Sequence, residues 1–599
     1  MSRSEIKDHG LLADGRTAAL VDREGAVNWW CPSRFDGPSV FCRLLDEHGG
    51  HWSIRPRGAF EVERAYVPGT LALRTVFTTD SGSVAVTDVL ALEPGVRGHQ
   101  IGRKSPGVLV RLVEGLSGVV LLDMSYSPRF QYGRVHGYLV RRDEALVATA
   151  GATTLTLTAS VPLQSNSEDA SAQFRVGTGQ RETFKLAYTP TYGDARTLAI
   201  DVRQTVDETV ESWRSWAREH EYQGRYPELV RRHALVLQGL TYQPSGAIVA
   251  AATTSLPELV GGDRNYDYRY AWMRDFSMTL HALWVAACPT EANRLFSWVA
   301  SAVGQVGDRP VPIMSDVEGE RDISERQVDT LHGYSHSTPV WIGNEAWRQR
   351  QLDVLGEVLD AAWLLRDYLD PMRDEVRDLL RSLADRAAAA WREPDAGMWE
   401  ARDAQRHYLS SKVFCWVALD RAVRFGERIG DADDVARWCH ARDEARDTIL
   451  REGWNDEVGA FTGAFGSSQL DASVLVMPIV GFLPATDPRM RATMALIEDR
   501  LSHGGLIRRW DGDPAAFFLC SFWMVSCLAL AGERDRAAAL FENLADSAND
   551  LGLFAEQIDP FTGAQLGNFP QAFSHIGLVL AAWQLNTASS GAASTEGGN

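Results

Sequence analysis

The stretch VDETVESWRSWAREHE (206–221) marks the point where the chain changes its hydrophobic period. Its apolar residues recur at helical spacing, whereas the residues before it read as strands. TAALVDREGAVNWW (17–30), SVAVTDVLAL (83–92), GVLVRLVEGLSGVVLLDMSY (107–126) and ATTLTLTAS (152–160) are alternating, β-branched runs punctuated by Gly, Pro and Asp. This spacing, without helical crossovers, predicts an antiparallel β-sandwich over 1–205 and a helical linker over 206–224.

Helical periodicity continues from 225 to 586. NEAWRQRQLDVLGEVLDAAWLLRDYL (344–369) carries apolar residues at i, i+3, i+4 and i+7. PMRDEVRDLLRSLADRAAAAW (371–391) starts on a proline that suits a first helical turn. AAFFLCSFWMVSCLALAGE (515–533) is almost wholly apolar and reads as a buried helix. About twelve helices fit this region, which suggests six hairpins closing as an (α/α)6 barrel over 225–586. The Gly/Ser/Ala-rich end, 587–599, reads as a disordered tail.

Composition limits the function. Among 599 residues, 45% are hydrophobic and 23% charged, as in ordinary globular chains. A net charge of −19 argues against nucleic acid and anionic membranes as partners. No apolar run reaches the length of a membrane span, and MSRSEIKDHG (1–10) has no apolar core of a secretion signal. The seven scattered cysteines contain no CxxC pair, so free thiols and a cytoplasmic location are expected. Phosphate-loop, dinucleotide, serine-elbow and HExxH patterns are missing, and the fourteen histidines show no metal-ligand spacing. Neither cofactor nor metal is expected. The 19 tryptophans suit either a large core or sugar stacking.

Three polar loops carry the chemistry. In GGDRNYDYRYAWMRDFSMTL (261–280), Tyr266, Tyr268, Tyr270 and Trp272 alternate ahead of Arg274 and Asp275, where a helix begins. Such a segment makes an aromatic wall ending in a charged clamp, although Asp275 also suits a helix cap. In EPDAGMWEARDAQRHYLSSK (393–412), Glu400 follows Gly397, Met398 and Trp399. Apolar surroundings keep a carboxyl protonated, as a general acid requires. In DLGLFAEQIDPFTGAQLGNFPQAFSH (550–575), Glu556 and Gln557 lie between apolar residues and can hold a water. Two carboxyls, aromatic walls and an Arg-Asp clamp form a glycosidase constellation.

The same loops, with IKDHGLLADGRTAALVDREGAVNWWCPSRFDGPSVFCRLLDE (6–47) and FFLCSFW (517–523), resemble glycoside hydrolase family 15, the glucoamylase family, in its bacterial trehalase-like branch. The resemblance covers nearly the whole chain. It implies an inverting, exo-acting hydrolase of an α-glucosidic bond, with Glu400 as general acid and Glu556 as general base. It places Arg274 and Asp275 on hydroxyls of the non-reducing glucose, and Tyr268, Trp272 and Trp399 as aromatic walls. Arg402 belongs to the same motif, Gln557 sits beside the base, and Arg509 resembles a further sugar-binding arginine. Trehalose is the first substrate expected. Short α-1,4 or α-1,6 gluco-oligosaccharides are the second, and a non-catalytic sugar-binding protein is the rival of another class.

The chain departs from the pattern at three places. GYSHSTPVWIGN (333–344) stands where many relatives read GYRGSRPVRIGN, so that Ser335, Thr338 and Trp341 replace arginines. WDGDPAAFF (510–518) lacks the glutamate of a GGEG-like stretch, and MSD (314–316) replaces MYG. These segments are expected on the leaving-group side, with Trp341 selecting the leaving sugar by stacking. The sequence leaves the oligomeric state open.

Overall fold

One long strand organises the N-terminal region. The computed structural model describes residues 4–192, 200–220, 222–286, 288–304, 311–367 and 372–593. Its first strands are β1 (Gly10–Ala13), β2 (Ala18–Val21), β3 (Ala26–Trp30), β4 (His51–Pro56), β5 (Glu61–Tyr66), β6 (Leu73–Thr79), β7 (Gly82–Leu90) and β8 (Val108–Ser127). The first half of β8 pairs antiparallel with β7 and with Arg181–Pro190. Its second half pairs antiparallel with β4 and with Ala170–Gly177. Burial along Ala170–Gly177 alternates, so Ala170, Ala172, Phe174 and Val176 face the core. Arg111 on β8 is fully buried, and its Nε donates to Asp88 Oδ1 on β7 at 2.8 Å. A charge so placed is tolerated because its partner is buried with it.

The helix expected within 206–224 is α1 (Val202–Arg218), capped by Asp201, which accepts from the Gln204 N–H at 2.8 Å. Twelve further α-helices follow among the described residues. They are α2 (Pro227–Gly239), α3 (Met273–Val285), α4 (Pro289–Gly304), α5 (Asp353–Leu364), α6 (Asp374–Ala390) and α7 (Leu409–Phe425). Then come α8 (Ala432–Glu452), the single turn α9 (Val476–Ile479), α10 (Pro488–Leu501), α11 (Phe518–Leu530), α12 (Arg534–Ala545) and α13 (Ala572–Ala593).

Apolar pattern sorts these helices. α11 is apolar all round and buried from Phe518 to Ala529. It packs against α13, which packs against α3; α3 packs on α5 and α5 on α7. The short helix Ala472–Leu475 touches both α7 and α11. α8 instead buries one stripe, Trp438, Ala441, Ala445 and Ile449, and leaves its charged face to solvent. α13 runs to Ala593, into the tail expected to be disordered. The rest of that tail, 594–599, lies outside the described residues. No helix among the described residues is long and apolar enough to cross a membrane.

The sheet domain docks on the helical domain beside the loop that precedes α3. Trp29 on β3 donates its indole N–H to the Ala252 carbonyl at 2.8 Å. Arg34 pairs with Asp316 and Glu318, both at 2.6 Å. Arg269 is buried completely; it pairs with Asp267 at 2.6 Å and donates to the Gly37 carbonyl and the Tyr132 hydroxyl of the sheet domain.

Candidate active site

The extended segment before α3 uses its period of two to serve both sides at once. Asp267 and Arg269 point to the sheet domain, while Tyr266, Tyr268 and Trp272 line a pocket in the helical domain. The sheet domain thus holds the pocket wall through Arg269, whose guanidinium donates to the Gly37 carbonyl and the Tyr132 hydroxyl. The pocket encloses about 80 Å³ and is also lined by Arg274, Asp275, Trp399, Glu400, Arg402, Arg509 and Glu556. A larger cleft of about 770 Å³ lies between the sheet domain and the segment holding His332 and His336, lined by polar groups such as Asp22, Arg55 and Asp123 and by no Trp, Tyr or Phe. The smaller pocket is the one with convergent carboxyls and aromatic walls, which is what a sugar needs.

Glu400 sits in left-handed backbone at φ 59°. A non-glycine residue held there costs roughly 1–3 kcal/mol, which the surrounding contacts must offset. Gln349 donates its amide N–H to the Glu400 and Ala401 carbonyls at 3.3 and 3.2 Å, fixing the loop. The Glu400 side chain is 20% exposed. Its Oε1 accepts from Trp272 Nε1 at 2.6 Å and from Arg274 Nη2 at 3.0 Å. Arg274 Nη1 donates to Asp353 Oδ2 at 2.8 Å and to Gln351 Oε1 at 3.0 Å, so the guanidinium is held by α5 from behind. Asp275 is buried, and its Oδ1 finds no partner among the described residues. Burial pushes the Asp275 carboxyl up to about 7; Arg274 opposes the rise and Glu400 adds to it.

Glu556 stands on the strand side of the pocket, just before Gln557–Ile558, which pairs with Ala516–Phe517 and with Gln565–Leu566. Its Oε1 accepts from the Tyr268 hydroxyl at 2.8 Å, and the Tyr268 ring meets Trp272 at 5.5 Å between centroids. Each carboxyl is therefore held by one of two adjacent aromatic residues. Gly567, at φ 75°, makes room: a Cβ there would lie 2.4 Å from Glu556 Oε2. Burial raises the Glu556 carboxyl to about 8, and Glu258 adds to the rise, against Arg509 and the Tyr268 hydroxyl.

Glu258 is a pocket residue that sequence reading does not find. It is buried, contacts Arg509 Nη2, and lies near Glu556. Arg509 also donates from Nε to Asp513 Oδ2 at 2.8 Å and lies over Trp510 at 4.6 Å. The WDGDPAAFF stretch thus supplies an aspartate to Arg509, while a glutamate reaches it from another loop. The only signal is a charge inside SLPELV (255–260), an otherwise apolar run. Trp399 donates its indole N–H to both oxygens of Asp471 at 2.9 and 3.1 Å. Arg402 pairs with Glu325 at 2.8 Å and lies over Tyr266 at 4.7 Å. Ala250, Asn344, Phe517, Gln571 and Phe573 also line the pocket, although sequence reading does not mark them as site residues.

Two expected site residues are not brought here. Trp341 lies outside the pocket lining: it pairs with Gln327, its carbonyl accepts from Thr254 and Ser255, and its N–H donates to Ser255 Oγ. Gln557 is fully buried, is not among the residues that line the pocket, and its side-chain amide has no hydrogen-bond partner among the described residues. Ser335, Thr338 and the 314–316 stretch are also absent from the lining; Ala271 and Trp272 pair with Ser315 and Met314, and Asp316 takes Arg34.

Comparison with known proteins now gives this site its class. Residues 224–583 match the model of "Glycosyl hydrolases family 15", and residues 2–194 match "Trehalase-like, N-terminal". A pocket of paired carboxyls and aromatic walls on such a frame defines a glycoside hydrolase. The trehalase of Mycobacterium tuberculosis (strain ATCC 25618 / H37Rv) is 37% identical over 616 residues, covering 96% of this chain and 88% of that one. The trehalase of Mycolicibacterium smegmatis (strain ATCC 700084 / mc(2)155) is also 37% identical, over 607 residues, with 96% and 90% covered. A bacterial glucoamylase complexed with acarbose superposes with a TM-score of 0.75 at 14% identity, over 98% of this chain and 94% of that one, so the fold is glucoamylase-like. The chain belongs to glycosyl hydrolases family 15.

Because Trp341 lies outside the pocket lining, Trp341→Arg is expected to change kcat/KM for two α-linked disaccharides by the same factor. Steady-state kinetics on both sugars checks this; a shift of their ratio by tenfold, or about 1.4 kcal/mol, would place Trp341 in contact with the leaving sugar.

Proposed function

We propose that this glycoside hydrolase cleaves trehalose to two glucose molecules with inversion at the attacked carbon. The observation that carries the substrate is the likeness to mycobacterial trehalases, which extends over 96% of the chain and includes the sheet domain. In this reading Glu400 protonates the glycosidic oxygen. Its Oε1 is occupied by Trp272 and Arg274, which leaves Oε2 to carry the proton. Glu556, in its ionised form and with Tyr268 on Oε1, takes a proton from the water that attacks the opposite face of C1. Inversion needs the two carboxyls about 6.5–9.5 Å apart to admit that water. Charge developing on the sugar ring meets Asp275 and Glu556 in a buried, low-dielectric pocket.

Asp275 Oδ1, buried and without a partner among the described residues, is the group that accepts from a glucose hydroxyl. Arg274 has two of its nitrogens committed to Asp353, Gln351 and Glu400, so its main work is to orient the acid. Trp272, Trp399 and Tyr268 wall the ring, and Arg402 and Arg509 stand at the same pocket. Asp353→Asn is accordingly expected to lower kcat about 10- to 100-fold with KM changed much less, through displacement of Arg274. Parallel losses in kcat and in folded protein would reduce Asp353 to a structural role.

The same reading covers the architecture. The two wings that share β8 stack as a β-sandwich over 1–205, 206–224 links, and 225–586 forms an (α/α)6 barrel. Its inner helices would be α3, α5, α7, the Ala472–Ile479 turns, α11 and α13. The support is their packing order, which returns from α13 to α3. A cytoplasmic location suits seven cysteines that are all unpaired. A hydrolysis panel tests the substrate: kcat/KM for trehalose should exceed that for maltose, isomaltose and longer glucans by at least about 100-fold, more than one altered pocket contact supplies. Faster turnover of maltose or its oligomers would favour the glucoamylase-like reading.

A further inference from the structure

Away from the pocket, three segments meet at one point. His99 lies in the turn Gly98–Gln100 of the sheet domain, His220 follows α1, and Glu291 is in the first turn of α4. One donor atom from each lies within 4.8 Å of the other two. His220 is 5% exposed and Glu291 4%. His99 Nδ1 is 2.7 Å from Glu291 Oε1, and His220 Nε2 is 3.7 Å from the same oxygen. Trp216 Nε1 donates to that oxygen at 2.8 Å. The other oxygen, Oε2, is buried and has no hydrogen-bond partner among the described residues. A buried carboxylate oxygen left without a donor is costly, so the cluster is short of positive charge on that side.

We propose that His99, His220 and Glu291 form a binding site for a divalent transition-metal ion of the zinc type, joining the sheet domain, the linker and the helical domain. Two imidazoles and one carboxylate suit zinc; calcium and magnesium take oxygen ligands instead. Around a tetrahedral zinc, neighbouring ligand atoms stand about 3.3 Å apart, within the range spanned here. His99 Nε2 is 2.9 Å from Glu219 Oε2, the carboxylate-on-histidine arrangement that orients an imidazole toward a metal. The metal replaces the proton between His99 Nδ1 and Glu291 and releases it to solvent. None of the three ligands lines the catalytic pocket, so the ion acts as a staple between domains. Ligand spacing along the sequence cannot reveal this site, because each ligand comes from a different segment.

The test uses tag-free, full-length protein stripped with EDTA and titrated with zinc by calorimetry and with cobalt by visible absorption. One ion per chain should bind, cobalt should give tetrahedral bands, and zinc should raise the Tm. His220→Ala and Glu291→Gln should weaken binding at least about 100-fold, and Glu219→Gln about 10- to 100-fold. His48→Ala, at an exposed position, should bind as the parent does. Absence of saturable one-to-one binding overturns the site, leaving His99 hydrogen-bonded between two carboxylates. Unchanged affinity in the ligand variants overturns it equally. If those variants do not fold, the partly exposed Glu219 decides: Glu219→Gln with parental affinity removes the proposal.

Discussion

Glu400→Gln is expected to lower kcat on trehalose about 10²- to 10⁴-fold while KM changes little. Gln keeps the shape of the side chain and can still accept from Trp272 and Arg274 at the oxygen they hold. It has no proton to give, so the leaving sugar must depart as an alkoxide. The loss corresponds to about 3–5 kcal/mol of transition-state stabilisation. α-Glucosyl fluoride, whose leaving group needs no proton, should recover most of the rate in this variant. Near-parental kcat on the disaccharide, or no recovery with the fluoride, would remove Glu400 from the acid role.

Glu556→Gln is expected to lose kcat by a similar factor, but on both substrates, because the attacking water still needs a base. Its second effect is on stability. Burial raises the Glu556 carboxyl to about 8, so between the ordinary carboxyl range and pH 8 the folded state holds a proton that the unfolded state has lost. The contribution of this group to stability is therefore fully present at low pH and is lost as pH rises toward 8. Glu556→Gln removes that dependence. The Tm of the variant minus that of the parent should grow from pH 5 to pH 8, measured by calorimetry across the window. The acidic limb of kcat/KM in the parent should likewise lie above the usual glutamate range. A variant that loses Tm relative to the parent as pH rises would contradict this placement of Glu556.

The period change near residue 206 made the division into sheet and helical regions legible, because strand alternation and helical spacing are local properties. The alternation of Tyr266, Tyr268, Tyr270 and Trp272 was legible for the same reason, and all of these but Tyr270 line the pocket. What alternation hides is the purpose of the other face. Asp267 and Arg269 read as loop charges but form a buried pair against the sheet domain, a contact across distant sequence. Glu258 and Asp353 were invisible because a lone carboxyl in a helix or turn is ordinarily solvated, and only tertiary contact with Arg509 or Arg274 gives it work. Gln557 was carried along by its neighbour Glu556, although it does not line the pocket. The tryptophans divide as both readings allow: Trp272 and Trp399 line the pocket, whereas Trp29, Trp30, Trp52, Trp213, Trp216 and Trp438 fill cores.

Proton NMR of the glucose anomers formed in the first minutes of trehalose hydrolysis, before mutarotation, tests the central claim directly. Attack by a Glu556-activated water on one C1 inverts that carbon, while the leaving sugar, protonated by Glu400, keeps its own configuration. The account predicts α- and β-glucose appearing together in equal amounts. Early accumulation of α-glucose alone would mean retention and would contradict the assignment of acid and base.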